Sequence, residues 1–185
     1  HIKRANTDGT PEVFPECPIG DNFHRLQAAA IDGKQGFHQG IALAALGFSG
    51  REDLMPTILQ GAQLEDPLLV DRAVFGLAIL RAPTTPPGVL AAIVENTEFP
   101  MSSRTQAAWA LYRIQSQSSR LPEIVEIWQR FVTNLQETLP PGVVVQSVRG
   151  LGLTRDGKHA EIVVPLLKHR TALVRMAAAV ALARM

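Results

Sequence analysis

The sequence predicts an all-α protein, folded as a right-handed α-solenoid of about five helical hairpins. Of 185 residues, 46% are hydrophobic and only 5% aromatic. Abundant alanine and leucine suit close-packed helices better than sheets, whose strands favour aromatic and β-branched residues. A similar segment also recurs along the chain, and Pro86, Pro87, Pro140 and Pro141 fall at helix boundaries between its copies.

The recurring segment is an alanine-rich helix. "RTQAAWALYRI" from Arg104 aligns with "RMAAAVALARM" from Arg175, and "RAVFGLAILR" from Arg72 is a third copy. Weaker copies are "HQGIALAALG" from His38 and "VVQSVRGLGL" from Val144. The copies start 31 to 40 residues apart, which is typical of two-helix solenoid units.

Another candidate helix precedes each copy, so the predicted unit is a hairpin. Turn sequences such as "GKQG", "LEDP" and "TLPPG" separate its two helices. Pro67 fits the first position of a second helix, where a missing N–H costs nothing. The predicted first helices lie near 22–32, 53–63, 87–95, 121–135 and 158–168.

The chain divides into an N-terminal arm or linker and the solenoid. Residues 1–21 are polar, contain prolines and lack helical periodicity, whereas residues 22–185 carry the repeats. The last helix ends without a helix-stop signal and is apolar on several sides, at Val174, Met176, Val180 and Met185. This pattern predicts a continuing chain, or burial of this end by end-to-end self-association.

The second helices, most clearly "LVRMAAAVALARM", resemble HEAT repeats, and in their short period the HEAT-like units of phycobilisome lyase subunits. The resemblance implies a polar ladder between units, made by an acidic turn residue and an arginine early in the second helix. Three units have a residue pair at this spacing, and the pattern fails in the last two. The ladder residues are Asp32 with His38, Asp66 with Arg72, Glu98 with Arg104, and the unpaired Arg175.

A second set of arginines follows the first by nine residues, on the opposite side of the helix. They either complement the helix dipole in solvent or form a column that binds carboxylates or phosphates. Trp109 lies beside one of them, and core packing is the expectation for both Trp109 and Trp128, with an exposed interface anchor as the alternative. The candidate partner-binding residues are Arg81, Trp109, Tyr112, Arg113, Arg149 and Arg184.

No catalytic or cofactor motif is evident. The four non-terminal histidines have no metal-ligand spacing, Cys17 is the single cysteine, and "RGLGLTRDG" lacks the third glycine of a phosphate loop. No uncharged apolar run is long enough to span a membrane. We therefore expect no catalytic residue, metal or cofactor, and the chain is predicted not to be an enzyme.

The expected function is a non-catalytic protein-interaction scaffold, with a protein or peptide bound on a concave face lined by the second helices. The alternative is a nucleic-acid-binding or lyase-type HEAT-like protein that uses the basic half of the chain. Residues 96–185 carry 11 Lys or Arg against 6 Asp or Glu, but the net charge of +1 does not favour nucleic acid. Chromophore handling, as in phycobilisome lyases, is a third reading. The sequence does not indicate a cellular compartment.

Overall fold

A computed structural model describes residues 19–32, 36–134 and 138–185, with the backbone alone for residues 19–24. This part of the chain is helical and contains no strand. None of its helices is both long and apolar enough to cross a membrane. The helices are α1 (Ile19–Ile31), α2 (Gly36–Gly47), α3 (Met55–Gly61), α4 (Pro67–Leu80), α5 (Pro87–Glu95), α6 (Met101–Gln115), α7 (Leu121–Thr133), α8 (Pro141–Thr154), α9 (Ala160–Val163) and α10 (Ala172–Leu182).

Consecutive helices pair as five hairpins, which confirms the predicted all-α solenoid. The second helices of the hairpins, α2, α4, α6, α8 and α10, pack against one another in chain order. They approach more closely than the first helices do, since each of the latter makes few contacts with the next. Alanine and glycine in the second helices permit this close approach, and the core runs continuously between the two layers. The predicted arm, residues 1–21, lies mostly outside the described residues, and α1 begins at Ile19.

Proline and aspartate start the helices where the sequence indicates. Pro67 occupies the first turn of α4, and the preceding Asp66 accepts a hydrogen bond from the backbone N–H of Leu68 at 2.9 Å. Pro87 and Pro141 likewise begin α5 and α8. Because proline lacks an N–H that the first turn does not use, these boundaries follow directly from the sequence.

The first helix of the fifth hairpin is broken. A 3₁₀ turn at Gly157–His159 leads into the four-residue α9, and a second 3₁₀ segment follows at Val164–Lys168. Pro165 lies at the start of that second segment, where its ring and missing N–H prevent continued α-helical bonding. The sequence predicted one helix over 158–168, so the position is right but the regular geometry is not.

Glycine allows α2 and α4 to touch through their backbones. A Cβ on Gly47 would overlap the backbone of Gly76, and a Cβ on Gly76 would lie 2.5 Å from the carbonyl oxygen of Leu43. No larger residue fits at either position unless the helices separate. These two glycines therefore set the spacing between the first two hairpins.

The structural register of α4 differs from the sequence alignment that matched Arg72 with Arg104. Positions 69, 70, 73, 74 and 77 of α4 are buried as are positions 103, 104, 107, 108 and 111 of α6, an offset of 34 residues instead of 32. Arg72 is exposed, whereas Arg104 is buried. The alanines do not distinguish the two offsets, because the 32-residue offset aligns Ala78 with Ala110 and the 34-residue offset aligns Ala73 with Ala107.

A buried hydrogen-bonded junction joins α6, α7 and α8. Trp128 of α7 is fully buried and donates its Nε1–H to Gln115 Oε1 at 2.9 Å. Gln115 Nε2 in turn donates to the carbonyl oxygen of Gly150 at 2.8 Å. The indole lies against Gly150, where a Cβ would overlap it. We call Gln115, Trp128 and Gly150 the buried junction.

Candidate functional site

The expected polar ladder residues bond mainly to the backbone. Asp66 caps α4, and Arg72 forms no ion pair within the described residues. Arg104 donates its Nε–H to the carbonyl oxygen of Val94 at 2.7 Å, and it forms no ion pair with Glu98, which is exposed. Arg104 thereby satisfies a carbonyl in the last turn of α5 and ties the two helices of the third hairpin.

The remaining ladder residues lie at the two ends of the solenoid. Arg175 donates to the carbonyl oxygens of His169 and Arg170, at 2.9 and 3.1 Å. Asp32 follows α1, and its backbone N–H bonds to the Ala28 carbonyl. His38 is exposed, with its ring edge-on to Phe37. Arg104 in the third hairpin and Arg175 in the fifth therefore bond to the backbone of their own hairpin, not to a neighbouring one.

Aromatic rings from successive second helices form a row across the second-helix face. Phe48, just after α2, lies 6.0 Å from Phe75 of α4 between ring centroids. Phe75 stacks on Trp109 of α6, with centroids 6.1 Å apart and an interplanar angle of 18°. Phe48 is exposed, and Phe75 and Trp109 are partly exposed. This spacing falls within the range of favourable aromatic pairs.

Arginines continue this row toward the C-terminus. The Arg113 guanidinium lies 5.9 Å from the Trp109 ring centroid, and the Arg149 guanidinium lies 4.4 Å above Tyr112. Arg113 Nε is buried and has no hydrogen-bond partner in the described parts of the chain. The aromatic–arginine row is the set Phe48, Phe75, Trp109, Tyr112, Arg113 and Arg149. It includes four of the six predicted partner-binding residues.

The other two predicted residues lie outside this row. Arg81 is the C-cap of α4 in a left-handed backbone conformation, with φ of 51°. Arg184 is exposed just after α10 and lines a groove between α8 and α10. Neither guanidinium has an ion-pair or hydrogen-bond partner among residues 19–32, 36–134 and 138–185. Arg81, Arg113 and Arg184 lie at or just after the C-terminal ends of α4, α6 and α10, as their spacing predicted; that they form a ligand-binding column stays a prediction.

We call the groove between α8 and α10 the end groove; its volume is about 270 Å³. Its floor is apolar, and exposed side chains of α10 form one wall: Leu173, Met176 and Val180, exposed by 61%, 60% and 46%. Arginines flank it, and none of its lining residues is acidic. The end groove is lined by Val145, Arg149, Leu173, Met176, Ala177, Val180, Ala181 and Arg184.

A larger apolar groove, of about 570 Å³, lies at the turns of the second and third hairpins. Its apolar lining includes Val89, Ile93 and Phe99, and its charged residues are Glu65 and Glu98. We call it the turn groove. Its lining thus carries a charge opposite to that of the end groove.

The resolved pKa shifts belong to an ion pair away from the row. The side-chain hydrogen bond between Arg51 and Asp53 raises the pKa of Arg51 and lowers the pKa of Asp53, but this exposed pair lies in the α2–α3 connection. Within the described ranges, no group of three or more His, Cys, Asp or Glu side chains is placed to hold a metal ion.

Comparison with solved structures supports the fold. An engineered protein, crystallised as a structural-genomics target, matches 88% of this chain and 78% of its own, with a TM-score of 0.62 and 17% identity. Human deoxyhypusine hydroxylase, solved in complex with glycerol, matches 93% of this chain and 92% of its own at 13% identity, with a TM-score of 0.32. The first match shows that a solved protein shares this all-helical fold. No family model and no curated protein matches it.

The prediction that this chain is not an enzyme is corrected by these matches. One matched protein is named as a hydroxylase, which contradicts the prediction. At a TM-score of 0.32, the match carries no argument for a hydroxylase reaction in this chain. We therefore withdraw the prediction and assign no reaction in its place.

Sequence reasoning missed Phe48, Phe75 and Leu173. Phe75 occupies the position of Trp109 once the helices are aligned by buried residues, and an alignment on apolar periodicity would have found it. Phe48 follows α2 in a turn, and no periodic signal marks it. Leu173 lies three residues before Met176 on the exposed stripe of α10, a spacing that could have been read from the sequence.

Proposed function

We propose that this chain is a protein-interaction scaffold that binds a partner protein or peptide on the second-helix face. The observation that carries the proposal is the aromatic–arginine row. Tryptophan, tyrosine and arginine are the residues most enriched among interface anchors, and here they lie side by side on adjacent helices.

The row is suited to binding because its side chains are already ordered. Phe75 and Trp109 support each other, and the rings beneath Arg113 and Arg149 limit the freedom of both guanidinium groups. Binding then costs less side-chain entropy than it would on an unstacked surface.

The shape of the row favours an extended or helical segment as partner. It crosses from α2 through α4 and α6 to α8, and packed helices lie about 8–10 Å apart. The row is therefore on the order of 25–30 Å long, enough for roughly one 20-residue helix. Apolar side chains of such a partner would contact the rings, and its acidic groups would contact the arginines.

Affinity capture with the full chain tests the proposal. We expect captured partners to be lost with the Trp109→Ala and Arg113→Glu variants and retained with Arg25→Glu, which makes the same charge change at an exposed site on α1. Cross-linking with mass spectrometry should map the partner to α4, α6 and α8. Partners captured equally by all variants would exclude the row as the binding surface.

Nucleic acid is the first alternative that this experiment must separate. Aromatic faces and arginines also stack on single-stranded bases, and such binding weakens steeply as salt rises. Binding to single-stranded DNA or RNA that disappears between low and moderate salt and depends on Trp109 would replace the protein-binding proposal. We expect no such binding, because the net charge is only +1.

Chromophore handling, by likeness to phycobilisome lyase-type HEAT units, is a second candidate. The row favours it, because aromatic rings can stack on a conjugated pigment while arginines bind its carboxylates. Co-expression with a pigment source should then give visible absorbance that copurifies with the wild-type chain. The Trp109→Ala variant should lose that absorbance.

A further inference from the structure

We propose that the end groove binds an acidic amphipathic helix of a partner protein, through apolar side chains in the groove and carboxylates on its two arginines. This inference rests on the proposed interaction function and names the chemistry of one ligand. It concerns a part of the surface that adjoins the aromatic–arginine row, since Arg149 belongs to both.

The apolar wall has the spacing of a helix-binding surface. Leu173, Met176 and Val180 lie three and then four residues apart, so they form one stripe along α10. All three side chains are largely exposed, although they are apolar. A partner helix with apolar residues at the same spacing would cover this stripe, as in other helix-in-groove complexes.

The groove is held open by packing beneath it. Gly152 of α8 lies so close to α10 that a Cβ there would be 2.8 Å from the Ala181 Cα. Ala177 and Ala181 form the floor, and both are buried. The two helices therefore keep their separation without a ligand, and the volume of about 270 Å³ suits a few inserted side chains.

The positive charge of the end groove favours an acidic partner helix. Arg149 and Arg184 flank the groove, and its lining contains no carboxylate. Arg149 has one weak hydrogen bond, to Gln146 Oε1 at 3.3 Å, and Arg184 forms no side-chain hydrogen bond or ion pair within the described residues. Residues 162–185 contain four Lys or Arg and no Asp or Glu, so the local field is positive. Acidic residues beside the apolar stripe of a partner would be attracted to it.

A second copy of this chain fits the groove less well. Two copies meeting through α10 would bring Arg149 and Arg184 of each into one interface. Like charges at such close range oppose association, and nothing acidic in the groove would offset them. We therefore assign the groove to an acidic partner.

The test uses the full chain and two labelled peptides of ~15 residues, about four helical turns. Both peptides carry leucines at helical spacing, and the remaining positions are mainly glutamate in one and lysine in the other. Fluorescence anisotropy at low salt gives each dissociation constant. We expect the acidic peptide to bind at least ~10-fold more tightly and to lose affinity as salt screens the arginines.

Three variants and two controls locate the binding site. Met176→Asp should weaken binding by about 30-fold or more, which is the effect of losing an interface anchor. Leu173→Asp repeats this test at a second exposed site, and Arg184→Glu, which cancels the charge of Arg149, should abolish the preference for the acidic peptide. Ile41→Asp and Arg25→Glu are the controls, since both change exposed residues of the first hairpin.

Three results would overturn the inference. The peptides could bind equally well, or the acidic peptide could bind Met176→Asp as tightly as wild type. Sedimentation could also show dimers that Met176→Asp dissociates while no peptide binds, which would assign the groove to a second copy. If the acidic peptide does not bind but partner capture still depends on Trp109, only the assignment of the end groove is rejected. If partner capture does not depend on Trp109, the proposed function is rejected.

Discussion

The two tryptophans of this chain lie in opposite environments. Trp128 is fully buried, and its indole N–H is bonded to Gln115 inside the buried junction. Trp109 lies partly exposed on the second-helix face, between the ring of Phe75 and the guanidinium of Arg113. Only three residue numbers separate Gln115, the partner of the buried indole, from Tyr112 of the exposed row.

This difference shows that one helix can carry two unrelated roles. The side of α6 that bears Gln115 holds three helices together, whereas the side that bears Trp109 presents a surface. Substitutions on the first side should therefore change the free energy of unfolding. Substitutions on the second should change binding and leave the fold intact.

Removing the buried indole should have the largest effect. Trp128→Ala should lower the free energy of unfolding by about 3–5 kcal/mol, because it leaves a cavity and unpairs Gln115. Trp109→Ala should cost much less, since its ring is partly in solvent. Urea unfolding followed by circular dichroism measures both. Equal losses of unfolding free energy in the two variants would show that the two tryptophans contribute equally to stability, contrary to this prediction.

Filling the space beside the indole should have the next largest effect. Gly150→Ala places a methyl group against the ring of Trp128 and should destabilise the fold by about 1–3 kcal/mol. Gly88→Ala is the matched control, because the new Cβ would meet only Glu123 Oε1, at an ordinary contact distance of 3.7 Å. That control should be neutral or stabilising by roughly 0.5–1 kcal/mol, because alanine has a higher helix propensity than glycine.

Deleting the shared amide separates hydrogen bonding from packing. Gln115→Leu keeps side-chain bulk but leaves the Trp128 N–H and the Gly150 carbonyl oxygen without their partner. The cost should be about 1–3 kcal/mol of unfolding free energy. Gln117→Leu, at an exposed site, serves as the control. A loss confined to Gln115→Leu would show that the junction depends on its hydrogen bonds.

The smallest change in stability should come from the exposed row. Trp109→Phe retains an aromatic ring against Phe75 and should change the unfolding free energy by less than about 1 kcal/mol. Its clear effect should be on tryptophan fluorescence, since the buried Trp128 is then the only tryptophan. Acrylamide should quench the wild type through Trp109 and the variant hardly at all. Strong quenching of the variant would show that Trp128 is open to solvent.

The sequence predicted the helices well where a backbone constraint defines them. The predicted helix over 87–95 coincides with α5, because Pro86 and Pro87 determine its start and "NTEFP" its end. Prediction was weaker for side-chain environment. Both tryptophans were expected to pack in the core. Trp128 is fully buried, whereas Trp109 packs against the core and stays partly exposed, because exposure depends on which neighbouring helix packs where.

The register error explains much of what was missed at the candidate site. Matching Arg72 with Arg104 concealed the equivalence of Phe75 and Trp109, and the resemblance to HEAT repeats implied a polar ladder. Asp66 caps a helix instead, and Arg104 binds a carbonyl group. In alanine-rich helices, shared arginines are a poorer guide to register than the positions of the large buried residues.

The broken first helix makes the fifth hairpin less regular than the hairpins that contain α5 and α7. Its short segments form few regular hydrogen bonds, so their amides should exchange with solvent earlier than those of α5 or α7. The same hairpin contains α10 and therefore one wall of the end groove. A helix bound there would stabilise the whole hairpin, and its binding would be visible as protection of amides that the ligand never touches.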